Sequence, residues 1–142
     1  MNYQIIDIKT ASHEKQEWGS LSYVESGLDI PFEIKRVYYI YGVEAALSRG
    51  AHAHRELQQI LICPYGSIKI KMDDGTKNEE IILDTPSMGL VIAPEVWHEM
   101  EWLQENSVLL VAASGHYDSN DYIRDYQTFL EFAEEKRSAS LY

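Results

Sequence analysis

The sequence predicts an all-β domain, a jelly-roll sandwich or barrel that ends in one amphipathic helix. Short segments rich in β-branched and aromatic residues recur along most of the chain and are separated by turn residues, a pattern typical of many-stranded antiparallel folds. Near the end, in contrast, apolar residues recur at helical spacing, as on the buried face of an amphipathic helix. We therefore expect a β-rich body followed by a helix over 120–136, with its N-cap at Asp118, Ser119 or Asn120.

The individual strands are predicted from composition and alternation. Residues 34–43 (IKRVYYIYGV) are rich in β-branched and aromatic side chains, which suit a pleated and partly buried surface. Over 68–72 apolar residues alternate with polar ones, the period-two pattern of a strand with one buried face. Asp73, Asp74 and Gly75 then supply the residues of a hairpin turn. Three further strands are expected over 79–84, 89–94 and 107–114.

Length and composition narrow the class of protein. A chain of 142 residues without an internal repeat or a linker is expected to form a single domain over 1–142. The net charge of −11 argues against nucleic acid as a partner, because such binding depends on neutralising phosphates. A single nucleotide needs only a few local cations, and Lys35, Arg36 and Arg49 lie close together in the sequence. The lone Cys63 cannot form an internal disulfide, and the sequence predicts neither a signal peptide nor a membrane partner. We therefore expect a cytoplasmic protein.

The segment RGAHAH (49–54) carries the clearest chemical signal. In a strand, side chains two residues apart project from the same face, so His52 and His54 are expected to point together. Two imidazoles in one cavity can bind a metal, exchange protons as acid and base, or hydrogen-bond within a polar core. The pair alone does not choose among these three possibilities.

Two histidine-bearing segments resemble the paired motifs of the cupins. Residues 49–66 contain a glycine before the HxH pair and a glycine at the end, with Gln59 at the position that an acid usually occupies. Residues 89–100 present a glycine, a proline and then His98 in the approximate order of the second motif, although the spacing is shorter and the final asparagine is missing. This resemblance implies a cupin jelly roll.

The amide at Gln59 bears on the expected chemistry. A metal-dependent cupin generally uses an anionic oxygen beside its histidines to hold a divalent cation, and a neutral amide is a poor replacement. We therefore expect neither a metal nor another cofactor. An imidazole titrates near neutral pH, so His52 and His54 are suited to move protons at a carbon beside a carbonyl, through an enediol.

The chain as a whole resembles the nucleotide-sugar 3,4-ketoisomerases, cupin enzymes that act on thymidine-diphosphate-linked (TDP-linked) 4-keto-6-deoxyglucose. The resemblance runs in unbroken order through residues 30–43, 49–67, 72–75, 83–100 and 114–132. It implies that the keto group moves from carbon 4 to carbon 3, which gives a 3-keto-6-deoxyhexose for dideoxyaminosugar biosynthesis.

The same resemblance implies roles for individual residues. His52 and His54 match the paired catalytic histidines: His52 would remove the hydrogen on carbon 3, and His54 would carry a proton between the two oxygens, although the roles could be exchanged. The implied substrate-binding residues are Arg49, Arg36, Tyr38, Tyr39, His98 and Trp18. Because adjacent side chains of a strand point to opposite faces, at most one of Tyr38 and Tyr39 is expected to reach the cavity.

The N-terminal region carries two further implications of the family. Many relatives have an arginine where this sequence has Trp18, and members differ in the configuration at carbon 4 of the product. Loss of that charged donor favours a gluco over a galacto product. The family also implies a homodimer with exchanged N-terminal strands, with residues 1–30 in dimer contact, and the alternation of residues 2–9 suits an added edge strand.

Three alternatives stay open beside the ketoisomerase. A metal-dependent cupin enzyme such as a dioxygenase would contain bound iron, zinc or manganese. A 3,5-epimerase would exchange the protons on carbons 3 and 5 without moving the ketone. A non-catalytic sugar-binding cupin would bind the ligand without exchanging the proton on carbon 3, since a shared fold does not fix function.

Overall fold

The computed structural model describes residues 1–141, in which twelve strands precede one C-terminal α-helix. The elements are β1 (Tyr3–Asp7), β2 (Lys9–Ser12), β3 (Ser20–Tyr23), β4 (Arg36–Ile40), β5 (Ser48–His54), β6 (Gln59–Tyr65), β7 (Ile68–Asp73), β8 (Asn78–Leu83), β9 (Met88–Ile92), β10 (Trp97–Trp102), β11 (Val108–Ala113), β12 (Tyr122–Ile123) and α1 (Tyr126–Ala139). Single 3-10 turns are formed by Gln16–Trp18 and Ser119–Asp121. The prediction of an all-β fold with one C-terminal helix is confirmed.

Most strands belong to two five-stranded antiparallel sheets. The first has the order β1-β9-β6-β11-β4, and the second has the order β12-β5-β10-β7-β8. Strands that are neighbours in a sheet are mostly distant in the sequence, as in a jelly roll. The remaining strands, β2 and β3, pair only with each other and form a separate hairpin.

The inner faces of the two sheets share one apolar core. Ile68, Ile70 and Met72 of β7 are each no more than 1% exposed, as their alternation in the sequence predicts. They belong to the same cluster of buried side chains as Leu61 of β6 and Val111 of β11 in the other sheet. The sheets therefore form a sandwich with interleaved apolar side chains.

The turn between β6 and β7 requires a glycine. Gly66 has a φ of +100°, and a Cβ atom at this position would lie 2.0 Å from the Oγ of Ser107. That hydroxyl accepts a hydrogen bond from the backbone N–H of Ser67 at 2.9 Å. The hydrogen bond holds the turn close to the segment that contains Ser107. A larger residue at position 66 would thus meet both backbone strain and a steric clash.

The C-terminal helix begins later than the sequence predicts. Asp125 caps it by accepting a hydrogen bond from the backbone N–H of Thr128 at 2.9 Å, so the predicted start at residue 120 and the predicted cap positions were wrong. Ser119–Asp121 form a 3-10 turn, and Tyr122–Ile123 pair with β5 as a short strand. Residues that the helical spacing predicted to form the first turn of the helix therefore form a short strand instead. Within residues 1–141 no helix is both long and apolar enough to cross a membrane.

The helix supports β5 from outside the core between the sheets. Phe129 and Ala133 of α1 pack with Ala53, Trp97 and Ile123 in a second buried cluster. Ala53 is fully buried there, on the face of β5 opposite to its neighbouring histidines. The helix thus fixes the position of the strand that carries the HxH pair.

Candidate active site

Three histidines from two neighbouring strands form a compact cluster. His52 and His54 lie on β5, and His98 lies on β10 opposite His52 in the antiparallel register. The ring centroid of His52 is 4.9 Å from that of His54 and 4.8 Å from that of His98. All three side chains are buried. His52 and His54 thus project together, as the alternation predicts, and the second strand adds a third imidazole.

A β-bulge brings Arg49 to the same face of β5 as His52. Arg49 lies three positions before His52, so regular alternation would point the two side chains to opposite faces. In the observed register His52 pairs with His98 whereas Arg49 pairs with Met100, so β5 contains one extra residue at this point. The two intervening residues accommodate it with φ angles of +94° and +60°. Arg49 and His52 therefore line one cavity.

The cavity beside the cluster has a volume of about 330 Å³. Its side chains come from β4, β5, β10, β12 and the segments on either side of β12; they are Arg36, Tyr38, Ile40, Arg49, His52, Met100, Tyr117, Tyr122 and Arg124. The guanidinium of Arg36 lies 5.3 Å from the ring centroid of Tyr38, and that of Arg124 lies 4.5 Å from the ring centroid of Tyr122. Three guanidinium groups thus face one cavity in a protein with a net charge of −11. This concentration of positive charge suits an anionic ligand.

Three of the predicted substrate-binding residues do not line this cavity within the same chain: Tyr39, Trp18 and His98. Tyr39 is 62% exposed and lies against Tyr41, so it occupies the outward face of β4 while Tyr38 faces inward. The sequence limited the choice to one of the two tyrosines, and Tyr38 is the one that lines the cavity, whereas Tyr39 does not line it within this chain. Trp18 is 68% exposed and stacks on His13 near the tip of the β2–β3 hairpin.

Burial keeps the cluster neutral at physiological pH. Desolvation lowers the pKa of His52 to about 4 and that of His98 to about 3, and the neighbouring imidazoles lower both further. Desolvation also lowers the pKa of His54, but the carboxylate of Asp121 opposes this shift. Burial raises the pKa of Tyr38 to about 12, so its phenol stays protonated. The cavity therefore offers one neutral base, His52, beside a neutral hydroxyl donor, and two further neutral imidazoles lie against His52.

Hydrogen bonds at both ring nitrogens hold His98 in one tautomer. Its Nδ1 lies 3.1 Å from the carbonyl oxygen of Val96, which can only accept, so Nδ1 carries the proton. The lone pair of Nε2 accepts a hydrogen bond from the amide Nε2 of Gln59 at 3.1 Å. Gln59 is 1% exposed and extends from β6, so this hydrogen bond also joins the two sheets. Because both ring nitrogens of His98 are hydrogen-bonded, this residue is better suited to shape the site than to carry a proton.

The same contact bears on metal binding. His52, His54 and His98 each present a nitrogen, and these atoms lie within 4.8 Å of one another, close enough for one ion to bridge. Gln59 already engages the lone pair of His98, and it stands where a cupin acid is expected. A divalent ion that prefers oxygen ligands would find a neutral amide at this position instead of a carboxylate. The donor set therefore suits proton transfer better than a metal centre.

Sequence reasoning missed two residues that contact the cluster. The Nδ1 atom of His54 lies 2.9 Å from a carboxylate oxygen of Asp121, and the ring of Tyr122 lies 4.5 Å from that of His54 and 5.0 Å from that of His52. Both residues lie within the segment predicted to be helical. In the sequence, an acid and a tyrosine just before a capped helix were the only indication of these residues. Because Asp121 lies 67 residues from His54, the sequence pattern did not predict their contact.

Comparison with known proteins agrees with this architecture. Residues 1–134 match the family described as FdtA: WxcM-like, C-terminal. A TDP-4-oxo-6-deoxy-alpha-D-glucose-3,4-oxoisomerase from Aneurinibacillus thermoaerophilus is 46% identical over 114 residues, which cover 80% of this chain and 82% of the relative.

Two crystal structures extend the likeness to the fold. A variant of the 3,4-ketoisomerase QdtA from Thermoanaerobacterium thermosaccharolyticum, in complex with TDP-4-keto-6-deoxyglucose, is 42% identical, with a TM-score of 0.89 and coverage of 94% of this chain and 95% of that one. The TDP-quinovose 3,4-ketoisomerase WlaRB from Campylobacter jejuni is 42% identical, with a TM-score of 0.84 and coverage of 92% and 98%. The predicted cupin jelly roll is thus confirmed, and the chain belongs to the FdtA family as a nucleotide-sugar 3,4-ketoisomerase.

Proposed function

We propose that the protein moves the keto group of TDP-4-keto-6-deoxyglucose from carbon 4 to carbon 3 through a histidine-catalysed enediol. The single observation that carries this proposal is the pair His52 and His54, neutral and 4.9 Å apart at their centroids, with His52 lining a cavity rich in guanidinium groups. Neighbouring bases of this kind can serve neighbouring carbons of one sugar ring. The substrate agrees with that bound by the QdtA variant and with the name of the 46% identical relative.

The proposed reaction is an internal redox exchange that needs no external oxidant. His52 removes the proton on carbon 3, which the ketone at carbon 4 acidifies, and the electron pair moves into the bond between the two carbons. His54 accepts the proton of the carbon-3 hydroxyl and delivers it to the oxygen on carbon 4. When His52 returns a proton to carbon 4, the carbon-3 oxygen becomes the ketone. Carbon 3 has been oxidised and carbon 4 reduced, with every proton accounted for.

The remaining site residues are assigned to binding. Arg36 and Arg49 are proposed to hold the diphosphate, since a guanidinium can donate two parallel hydrogen bonds to phosphate oxygens. Tyr38, protonated and half-buried beside Arg36, is proposed to donate a hydrogen bond to the sugar. His98, with both nitrogens engaged, is proposed to form a wall of the sugar pocket.

The deuterium experiment tests the reaction directly. The protein is incubated with TDP-4-keto-6-deoxyglucose in deuterated water and followed by proton NMR. We expect deuterium at carbon 4 of a product whose ketone lies at carbon 3, and deuterium at carbon 3 of recovered substrate.

Other outcomes of the same experiment identify the alternatives. Label at carbons 3 and 5 with an unmoved ketone would indicate a 3,5-epimerase, and binding without exchange would indicate a sugar-binding module. Stoichiometric iron, zinc or manganese, with loss of turnover on chelation, would support a metal-dependent enzyme. Any of these results would overturn the proposed reaction.

The configuration of the product is proposed to be gluco. Trp18 supplies an indole where many relatives supply a guanidinium, so no charged donor from this position directs protonation of carbon 4. The 42% identical WlaRB is described as an enzyme of TDP-quinovose, and quinovose is 6-deoxyglucose. The coupling between the protons on carbons 4 and 5 of the product, measured in ordinary water, would distinguish the gluco from the galacto epimer.

A homodimer with exchanged N-terminal segments is proposed to complete the site. The β2–β3 hairpin pairs with neither main sheet, and all of β3 is exposed, including Leu21 at 61%. An isolated two-stranded hairpin is at best marginally stable in water, which supports a partner surface that packs on this exposed hairpin. An apolar groove of about 430 Å³ lies between the first sheet, which contributes Ile60, Ile62 and Leu110, and the chain's own β3, which contributes Ser20, Ser22 and Tyr23. We propose that the partner's hairpin covers this face and carries its Trp18 to the sugar pocket.

Replacing Leu21 with glutamate tests the dimer. We expect the wild-type chain of 16.4 kDa to elute with the mass of a dimer in light scattering, about 33 kDa as twice the chain, and Leu21→Glu to dissociate and lose turnover. Ile82→Glu, at a residue 46% exposed on β8 in the other sheet, is the matched control and should stay dimeric. A wild-type monomer with full activity would contradict the exchange.

A further inference from the structure

Asp121 is bonded to the end of β5 by three hydrogen bonds. Its Oδ2 lies 2.9 Å from the Nδ1 atom of His54, and its Oδ1 accepts from the backbone N–H of Glu56 at 2.8 Å. Its backbone carbonyl accepts from the backbone N–H of Arg55 at 2.9 Å. The side chain is only 15% exposed. Both carboxylate oxygens are therefore committed, and their direction relative to His54 is fixed.

These contacts determine the tautomer of His54. An ionised carboxylate only accepts hydrogen bonds, so the ring proton must sit on Nδ1. In the neutral ring Nε2 then carries a lone pair. Nε2 is buried and has no hydrogen-bond partner among residues 1–141. A buried acceptor without a partner is uncommon in folded proteins, so Nε2, on the side of the ring turned away from Asp121, is a candidate to accept a hydrogen bond from a bound ligand.

We propose that Asp121 is a positioning residue that keeps the proton of His54 on Nδ1 and thereby leaves Nε2 able to accept a proton from the substrate. The catalytic consequence rests on the proposed function, in which His54 takes the proton of the carbon-3 hydroxyl. At that moment the ring becomes an imidazolium, and the adjacent carboxylate stabilises the positive charge. His52 lacks such a partner, and its Nδ1 is buried without a hydrogen bond to any described residue.

Asparagine at position 121 gives the sharpest test, because its orientation is predictable. The backbone N–H of Glu56 can only donate, so the amide oxygen of Asn must face it. The NH₂ group is then turned towards His54 and donates to Nδ1, which reverses the tautomer and places the proton on Nε2. We expect Asp121→Asn to lower kcat by about 10² to 10⁴-fold, the range for loss of a proton-transferring group, with a change in KM below about threefold.

The decisive readout is the tautomer itself, measured in the substrate-free protein. Nitrogen-15 NMR of labelled histidine should place the proton of His54 on Nδ1 in the wild type and on Nε2 in Asp121→Asn. Asp121→Ala removes the carboxylate without imposing a tautomer, so its kcat should lie above that of Asp121→Asn although its melting temperature is lower. Asp118→Asn makes the same chemical change in the cap of the same turn and should leave the tautomer and kcat unchanged.

The proposal fails if the His54 tautomer is the same in wild type and Asp121→Asn, or if Asp121→Ala is the less active of the two in proportion to its lost stability. The second result is what a purely structural role predicts. Because the NMR measurement needs no substrate, it separates this proposal from the proposed reaction. Absence of deuterium exchange in the wild type would overturn the reaction while a reversed tautomer still upheld the role of Asp121 towards His54.

Discussion

His52→Asn is expected to lower kcat by about 10³-fold or more, since general acid–base catalysis contributes about 10² to 10⁴-fold and this ring is used for both removal and return of the carbon-bound proton. An amide cannot take up that proton at neutral pH. The fold should survive, because asparagine is smaller than histidine and the Nδ1 atom of His52 forms no hydrogen bond with the described residues. Steady-state kinetics and the melting temperature, measured together, check both statements.

Comparison with His54→Asn assigns the two roles. Without His52 the protein should bind substrate but fail to exchange the proton on carbon 3 with deuterium. Without His54 that exchange should persist at a reduced rate while the ketone stays at carbon 4. The reverse pattern would exchange the two roles, and normal turnover in both variants would remove the histidine pair from the mechanism. His116→Asn, at an exposed histidine outside the cluster, serves as the control.

The parts of the site that depend on local pattern could be predicted from the sequence. The period-two alternation placed His52 and His54 on one face of a strand, and the same alternation in β7 identified its buried residues. It also limited Tyr38 and Tyr39 to one inward side chain. Which of the two points inward depends on how β4 is placed at the edge of its sheet, and that placement is a tertiary property.

The parts that depend on irregular backbone or distant contacts could not be predicted. Arg49 reaches the cavity only because a bulge adds one residue before His52, and no turn residue other than Gly50 marks it in the sequence. Asp121 meets His54 because a strand of two residues interrupts the expected helix. In each case tertiary pairing overrides a regular period, at the positions where the site is built.

The free energy of unfolding is expected to fall steeply as the pH decreases from about 6.5 to 4.5. The pKa of His52 is lowered to about 4 and that of His98 to about 3, chiefly by burial. An unfolded histidine titrates near 6.5. Within this window the unfolded chain therefore binds protons that the folded chain does not, which favours unfolding by about 1.4 kcal/mol per pH unit for each such histidine.

The surrounding charges act in both directions on the same cluster. Burial, and to a smaller extent Arg36 and Arg124, lower the pKa of His54, whereas Asp121 raises it, so His54 should contribute less to the slope than its two neighbours. Hydrogen-bonded carboxylates with a lowered pKa destabilise the fold chiefly below about pH 5, where the carboxyl groups of the unfolded chain begin to bind protons. Asp74, whose pKa is lowered to about 2, is an example. The part of the interval above about pH 5 consequently isolates the histidines.

Chemical denaturation at a series of pH values, for wild type and His98→Gln, tests this assignment. Glutamine can keep a hydrogen bond to Gln59 but does not titrate, so the slope between pH 6 and 4.5 should decrease by about 1.4 kcal/mol per pH unit. His116→Gln should retain the wild-type slope. Equal slopes in His98→Gln and wild type would mean that His98 gains its proton in the folded protein. That result would contradict the neutral histidine cluster on which the proposed proton transfers depend. Stability and catalysis are linked because both depend on the burial of these imidazoles. Burial keeps the rings unprotonated, so that they can act as bases. In acid, the unfolded chain binds protons that the buried rings do not, and the equilibrium shifts towards unfolding.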